Sequence, residues 1–278
     1  MSLAVQIACE RPARAAGFSG SALPIFVDRQ KERRRLEEAI RQRKSLAIRG
    51  PRGMGKAALA SAVIGSLPAG LSAQCLYLHG SRDLRDLLRQ LISRLYKFKD
   101  PPLRRRLHTE GVSALNFEGW LKNRSLNQLQ GCLYRCVEQN EYQVFLHHFP
   151  PLTTPVAKVI KELFWMRNTP VYLLVRDEPD EHFDRALRLF YWGDEELLTL
   201  QPLPSWAAHR LLDDCIERFG LTQLDPSDFR DELLELSKRN PGAIVKMCSL
   251  AAGARYRHGG HVKLKSVYID YLTGSSTP

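Results

Sequence analysis

The chain has 278 residues, of which 44% are hydrophobic and 26% charged, as in a globular protein with one large domain or a large and a small one. No apolar run approaches the roughly 18 residues of a membrane span, and the N-terminal residues do not resemble a secretory signal. No C-x-x-C pair occurs. We therefore expect a cytoplasmic protein with reduced thiols and no membrane partner. The 41 Lys and Arg outnumber the 30 Asp and Glu, and the net charge of +11 favours polyanionic partners.

The first part of the chain is predicted to be an extended arm followed by a helix. Residues 1–25 contain Gly, Ala, Ser and Arg without a period. Residues 29–43 then form a charged amphipathic pattern, with Leu36, Ala39 and Ile40 on one face.

Residues 45–62 combine a short apolar strand, a glycine-rich turn and an Ala/Leu-rich helix. The order strand, G-x-x-x-x-G-K, helix is typical of a phosphate-binding P-loop. Its glycines let the backbone N–H groups surround phosphates, and Lys56 and the helix N-terminus add positive charge. The alternative is a tight turn with a solvated lysine. We predict that the nucleotide is bound by Gly50, Pro51, Arg52, Gly53, Met54, Gly55, Lys56 and Ala57.

Ala57 departs from the P-loop pattern. A Ser or Thr is usual after the lysine, and its hydroxyl binds Mg²⁺. The methyl group of Ala57 offers no such ligand. Phosphate binding is therefore expected to persist while the role of Mg²⁺ stays open.

Apolar runs after the P-loop predict four further strands and, between them, helices that cover a parallel sheet on both faces. The strands are predicted at 74–78, 142–146, 171–175 and 197–200, and the helices at 83–98, 117–139 and 155–167. A less regular basic stretch is predicted from Leu103 to Leu107, after Asp100-Pro101-Pro102. Beyond Pro202, residues 206–218, 227–239 and 241–256 are helix-like and predict a small all-helical domain.

The segment Phe26–Arg29, followed by a charged helix that leads into the P-loop strand, resembles the start of AAA+ and STAND-type ATPases. The resemblance implies a P-loop α/β domain at 26–201, a helical lid at 202–278, and Phe26–Arg29 close to the adenine. Asn240-Pro241 is similar to the family's sensor-2 segment. Gly242 follows there, so Arg239 or Lys246 would have to replace the family's arginine.

A hydrolysing member of this family has Asp-Glu at the end of its Walker B strand. The strand at 142–146 instead ends in His147-His148, which indicates a lost acidic pair or, as the less favoured alternative, a transition-metal site. Alternatively 171–175 is the Walker B strand, followed by Asp177-Glu178. The strand count favours the first assignment, which puts Arg176 near the sensor-1 position.

Two smaller patterns favour a plain structural interpretation. His258-Gly-Gly-His261 is expected to be a turn rather than a metal pair, because no Cys or carboxylate accompanies it. Arg185 and Arg188 are candidates for an arginine finger, but exposed helical arginines need no such role.

The sequence and the resemblance together predict a degenerate AAA+-like protein that binds ATP or ADP, hydrolyses it weakly or not at all, and acts as a switch or assembly factor. One alternative is an active ATPase that uses Asp177, Glu178 or a partner's acid. Another is a basic DNA-binding scaffold for which nucleotide is incidental. Candidate partners are nucleic acid, other proteins or further copies of the chain. The arginines that would contact nucleic acid cluster at 33–35, 41–52 and 104–106, unless they pair with Glu32, Glu37 and Glu38.

Overall fold

The computed structural model describes residues 27–147, 153–166, 169–176, 196–222, 226–258 and 261–274. The chain divides into two compact units. Of the described residues, the first unit comprises those within 31–49 and 60–199, and the second comprises those within 27–30, 50–59 and 200–274. The glycine-rich turn therefore belongs to the same unit as the C-terminal helices, whereas the sheet belongs to the first unit. The domain boundaries at 25 and 201 stay a prediction.

A five-stranded sheet lies at the centre of the first unit. Its strands are β1 (Leu46–Gly50), β2 (Cys75–Leu78), β3 (Gln143–His147), β4 (Val171–Arg176) and β5 (Leu197–Thr199). Their order across the sheet is β2-β3-β4-β1-β5. The pairs β1–β5, β2–β3 and β3–β4 are parallel. Every residue of β2 and β3 is buried, as expected for strands covered on both faces. The predicted α/β sheet is confirmed.

Helices of the first unit pack apolar side chains against the sheet. The described helices are α1 (Gln30–Arg41), α2 (Lys56–Ser66), α3 (Ala69–Ala73), α4 (Leu84–Lys97), α5 (Pro101–Thr109), α6 (Phe117–Asn123), α7 (Leu126–Gln139) and α8 (Thr154–Trp165). The leucines of α4 and α7 and the valines of α8 form one core with β2, β3 and β4. The spacing of these residues along each helix places them on one face.

Two helical predictions were wrong in the region between β2 and β3. The stretch predicted as irregular is α5, because Pro101 and Pro102 occupy its first turn and Asp100 caps its N-terminus. The single helix predicted at 117–139 is two helices, α6 and α7. Ser125 begins α7 with a capping box, in which its hydroxyl accepts from the N–H of Gln128 and the Gln128 side chain accepts from the N–H of Ser125.

Asp100 is fully buried and joins the start of α5 to the start of β3. Its Oδ1 accepts from the N–H of Leu103 at 2.7 Å. Its Oδ2 accepts from Asn140 Nδ2 at 2.9 Å and from the Tyr142 hydroxyl at 3.0 Å. A buried carboxylate is tolerated only when it is hydrogen-bonded in this way. Burial and the negative charge of Asp100 both raise the pKa of Tyr142, which therefore stays a neutral donor.

Four described helices form the core of the second unit: α9 (Ser205–Arg218), α10 (Pro226–Leu236), α11 (Pro241–Ala251) and α12 (Leu264–Thr273). Lys238 and Arg239, between α10 and α11, adopt positive φ angles of 50° and 56°. After these two residues, Asn240 occupies the N-cap position of α11. A short antiparallel pair, β6 (Arg257–His258) and β7 (His261–Val262), precedes α12. None of the described helices is long and apolar enough to cross a membrane.

Candidate functional site

The predicted P-loop lies between the last residue of β1 and the first residue of α2. Gly50 ends the strand and Lys56 begins the helix, so residues 51–55 form the turn. Gly53 and Gly55 both have φ of +85°, a conformation that side chains rarely adopt. Lys56 is only 6% exposed. The sequence-predicted residues thus form one continuous turn at the N-terminus of a helix.

Each carbonyl oxygen from Gly50 to Gly55 accepts a hydrogen bond from the protein. Lys56 Nζ donates to the oxygens of Gly50 and Pro51, the latter at 3.0 Å. The oxygens of Arg52, Gly53 and Met54 accept from groups outside the turn: Asn240 Nδ2 at 2.8 Å, the Gly242 N–H at 2.9 Å and Arg29 Nη2 at 3.2 Å. The Gly55 oxygen accepts from the Leu59 N–H at 2.8 Å, inside the first turn of α2.

The N–H groups of the same turn are arranged differently from its carbonyls. Within the described ranges, those of Gly53, Gly55 and Ala57 have no acceptor in the protein. Backbone N–H groups around residues of positive φ form anion-binding concavities, and the N-terminus of α2 adds its dipole. This turn therefore has the backbone arrangement that binds phosphate oxygens.

Gly53 and Gly242 approach each other closely inside the second unit. A Cβ atom on Gly242 would lie 2.6 Å from Gly53 Cα, and one on Gly53 would lie 2.5 Å from Asn240 Oδ1. A side chain on Gly242 would therefore require a backbone shift, and one on Gly53 would require the Asn240 side chain to move and a φ angle that side chains rarely adopt. This contact is a physical reason for glycine at the place where the resemblance implies an arginine. Arg239, one of the two predicted replacements, is exposed and its carbonyl accepts from the Leu203 N–H at 3.1 Å.

Arg29 has a structural contact that the sequence did not indicate. It is 5% exposed. Its Nη2 donates to the Gln201 carbonyl at 2.7 Å as well as to that of Met54. The resemblance placed Phe26–Arg29 near an adenine, and Phe26 lies outside the described residues. The guanidinium of Arg29 links the turn to residue 201, and the position of Phe26–Arg29 near an adenine stays a prediction.

The position of the expected Walker B acid is occupied by a buried histidine. His147 ends β3, and its Nδ1 lies 3.2 Å from the Tyr77 hydroxyl and 3.2 Å from His79 Nδ1. Burial raises the pKa of Tyr77 and keeps its hydroxyl neutral. Within the described part of the chain, no three His, Cys, Asp or Glu residues form a possible metal site. Arg176 ends β4 and is exposed.

Several predicted candidates fall outside the described residues. They are His148, Asp177, Glu178, Arg185 and Arg188. The assignment of a catalytic acid to Asp177 or Glu178 therefore stays a prediction, as does the arginine finger.

A second concave surface lies between α5 and α7 in the first unit. This groove has a volume of about 470 Å³ and is lined by Arg105, Arg106 and Arg135 among others. Arg106 pairs with Glu110 at 3.0 Å. Although burial raises the pKa of Glu110, hydrogen bonds from Trp120 and Arg106 and the charge of Arg124 lower it overall. Arg104 and Arg105 are exposed. In the predicted cluster 104–106, Arg106 is therefore ion-paired, whereas Arg104 and Arg105 are exposed.

No protein-family model matches the chain, and no curated protein matches it. Several solved structures are similar, among them the following three. A Walker-type ATPase of Pyrococcus abyssi has a TM-score of 0.58 and 15% identity, over 90% of this chain and 73% of that one. The Orc1 protein of Aeropyrum pernix, solved in complex with DNA, has a TM-score of 0.57 and 16% identity, over 94% and 69%.

The third similar structure is a Signal Transduction ATPase with Numerous Domains (STAND) from Pyrococcus horikoshii, which carries a tetratricopeptide repeat sensor. It has a TM-score of 0.51 and 17% identity, over 91% of this chain and 34% of that one. At these identities the likenesses establish the fold. The chain has a P-loop ATPase fold, as the resemblance in the sequence implied.

The sequence predicted the turn itself but not the hydrogen bonds by which Arg29 and Asn240 hold it. Arg29 and Asn240 lie 25 and 188 residues from the carbonyls they contact in the turn. Local periodicity carries no information about contacts at such separations. The Asn-Pro-Gly run at 240–242 was the available signal, because Asn is a favoured N-cap and Gly permits close backbone approach.

Proposed function

We propose that the chain binds ATP or ADP through residues 50–57 and acts as a nucleotide-dependent switch or assembly factor with weak or no hydrolysis. The arrangement of the turn carries this proposal: its carbonyls are bonded to the protein while the N–H groups of Gly53, Gly55 and Ala57 have no acceptor among the described residues. Bound phosphates would supply the negative charge that these N–H groups and Lys56 complement. The similar structures include two proteins that are described as ATPases.

Weak hydrolysis and a small dependence on Mg²⁺ follow from two departures from the P-loop ATPase pattern. Ala57 removes a hydroxyl that would bind the metal, and His147 replaces an acid at the end of β3. Neither change alters the backbone that contacts phosphate. The bound nucleotide would then stabilise one arrangement of α11 on the turn, which is the basis of a switch.

Calorimetric titration of the full chain with ADP and ATP, with Mg²⁺ and with EDTA, tests the proposal. We expect the affinity to fall by less than about 100-fold in EDTA, or roughly 2.7 kcal/mol. Turnover should stay below about 1 s⁻¹, the low end for enzymes. Absence of binding to both nucleotides would contradict the proposal. Faster turnover that is abolished in Glu178→Gln would instead support the active ATPase.

A second candidate function is contact with nucleic acid through the groove between α5 and α7. Arg105 on α5 and Arg135 on α7 line the groove and are exposed, and Arg104 is exposed beside Arg105. One similar structure is described as a complex with DNA. Near α1, Arg41 supports contact less, because it pairs with Glu37 at 2.8 Å. We propose the groove as the phosphate-contacting surface of the chain.

Binding to a random-sequence DNA duplex at several salt concentrations tests this second function. Replacing Arg104 and Arg105 with alanine should lower the affinity and reduce the slope of log affinity against log salt by about 0.9 for each phosphate that these arginines neutralise. The double variant Arg41→Ala, Arg82→Ala removes the same charge from two ion-paired arginines and should leave the slope unchanged. No binding at about 50 mM salt, where such contacts are strong, would contradict the candidate and favour protein partners.

A further inference from the structure

The peptide planes of the turn show how groups outside it determine where its N–H groups point. In a planar trans peptide the C=O bond and the following N–H bond point in opposite directions. The Arg52 carbonyl therefore shares a plane with the Gly53 N–H, and the Met54 carbonyl with the Gly55 N–H. Asn240 Nδ2 holds the first carbonyl at 2.8 Å and Arg29 Nη2 holds the second at 3.2 Å.

We propose that Asn240 is a positioning residue that presets the turn for phosphate by holding the Arg52 carbonyl. The inference rests on the proposed nucleotide binding and adds a residue to it. By fixing the Arg52–Gly53 peptide, Asn240 directs the Gly53 N–H away from its own side chain. The adjacent Gly242 N–H holds the next carbonyl, that of Gly53, at 2.9 Å. The start of α11 thus orients two successive peptides of the turn.

The oxygen and the nitrogen of the Asn240 amide make different hydrogen bonds, so a substitution can remove one set and keep the other. Its Oδ1 caps α11 by accepting from the N–H groups of Gly242 at 3.0 Å and Ala243 at 3.3 Å. Its Nδ2 contacts only the Arg52 carbonyl among the described residues. Asp and Ser cap helices about as well as Asn, but neither places an N–H donor at the Nδ2 position. Substitution by either keeps the cap and removes the hydrogen bond to the turn.

The experiment compares ADP with AMP, because only ADP carries a β-phosphate. We expect Asn240→Ser and Asn240→Asp to weaken ADP binding to the full chain by about tenfold, since the Gly53 N–H no longer has a fixed direction. AMP should bind with nearly unchanged affinity, so the ratio of the two affinities should fall. Asn240→Ser is neutral and excludes repulsion between a new carboxylate and the phosphates. Ser125→Ala is the control: it removes a helix cap in the first unit, and the ratio of ADP to AMP affinity should therefore stay unchanged.

Hydrogen–deuterium exchange gives a second measurement. Coupling between two sites is reciprocal, so ADP should slow exchange in the peptide that covers residues 240–246. This protection should shrink in Asn240→Ser. An unchanged ratio of ADP to AMP affinity in folded Asn240→Ser would show that Asn240 is only a helix cap and overturn the inference. A fall that occurs only in Asn240→Asp would assign the effect to charge and overturn it too. Failure of the unmodified chain to bind ADP would instead reject the proposed function.

Discussion

Replacement of Gly242 by alanine is expected to weaken ADP binding by about 10- to 100-fold, equivalent to roughly 1.4–2.7 kcal/mol. The new Cβ would lie 2.6 Å from Gly53 Cα and 3.0 Å from the Gly53 carbonyl oxygen, both of which are backbone atoms. Neither atom can move away by a side-chain rotation. The start of α11 must therefore separate from the turn, which breaks the hydrogen bond from the Gly242 N–H to the Gly53 carbonyl. Overpacking of this kind costs about 1–3 kcal/mol.

Gly131→Ala is the matched control for this prediction. Gly131 lies inside α7, and a Cβ added there would meet no atom within 4 Å. Alanine in a helix interior is favoured over glycine by about 0.5–1 kcal/mol, so this variant should unfold at higher urea and bind ADP normally. The same substitution thus has opposite effects in the two helices. Equal ADP affinity in both variants would contradict a tight contact between α11 and the turn.

The sheet could be predicted because its strands are short, buried on both faces and bounded by polar residues. The observed strands begin and end within two residues of the predicted runs; for example, the run at 171–175 corresponds to Val171–Arg176. The turn could be predicted for a different reason. Its chemistry depends on a local spacing of glycines and a lysine, and that spacing requires no knowledge of the rest of the chain.

Helix boundaries in the region between β2 and β3 were predicted less well, although the sequence held the signals. A less regular stretch is predicted after Asp100-Pro101-Pro102, whereas the two prolines occupy the first turn of α5 and Asp100 caps it. The capping box at Ser125 and Gln128 was hidden inside a continuous apolar stripe. In both cases the capping residues, and not the apolar periodicity, mark where the helices begin.

The contacts that hold the turn could not be predicted, because they depend on how distant segments pack. Arg29 would ordinarily be assigned to an exposed helix start, since nothing local marks it as buried. It is held inside by two carbonyls, one of which is 172 residues away in the sequence. Such a contact follows from the arrangement of the second unit and not from any local pattern.

Replacement of Lys56 should have the largest effect on nucleotide affinity. Its ammonium group is buried and donates to the carbonyls of Gly50 and Pro51, at the point where the β- and γ-phosphates of a P-loop ligand are expected. Hydrogen bonds to charged groups contribute about 1.5–3 kcal/mol each. We therefore expect Lys56→Ala to weaken ADP binding by at least about 100-fold, or roughly 2.7 kcal/mol.

Lys56→Met separates the charge from the packing of the side chain. Methionine keeps an unbranched apolar chain of similar length, so the surroundings of the Lys56 methylene groups are retained while the ammonium is removed. If the charge binds phosphate, Lys56→Met should weaken ADP binding as much as Lys56→Ala does. Its free energy of unfolding should be closer to that of the unmodified chain. Lys265→Ala, which removes an exposed lysine from the same unit, should leave ADP affinity unchanged. Removal of a charge-assisted hydrogen bond to phosphate should lower the affinity by more than about threefold. If both Lys56 variants bind ADP within about threefold of the unmodified chain, Lys56 does not bind phosphate and only closes the turn on its own carbonyls.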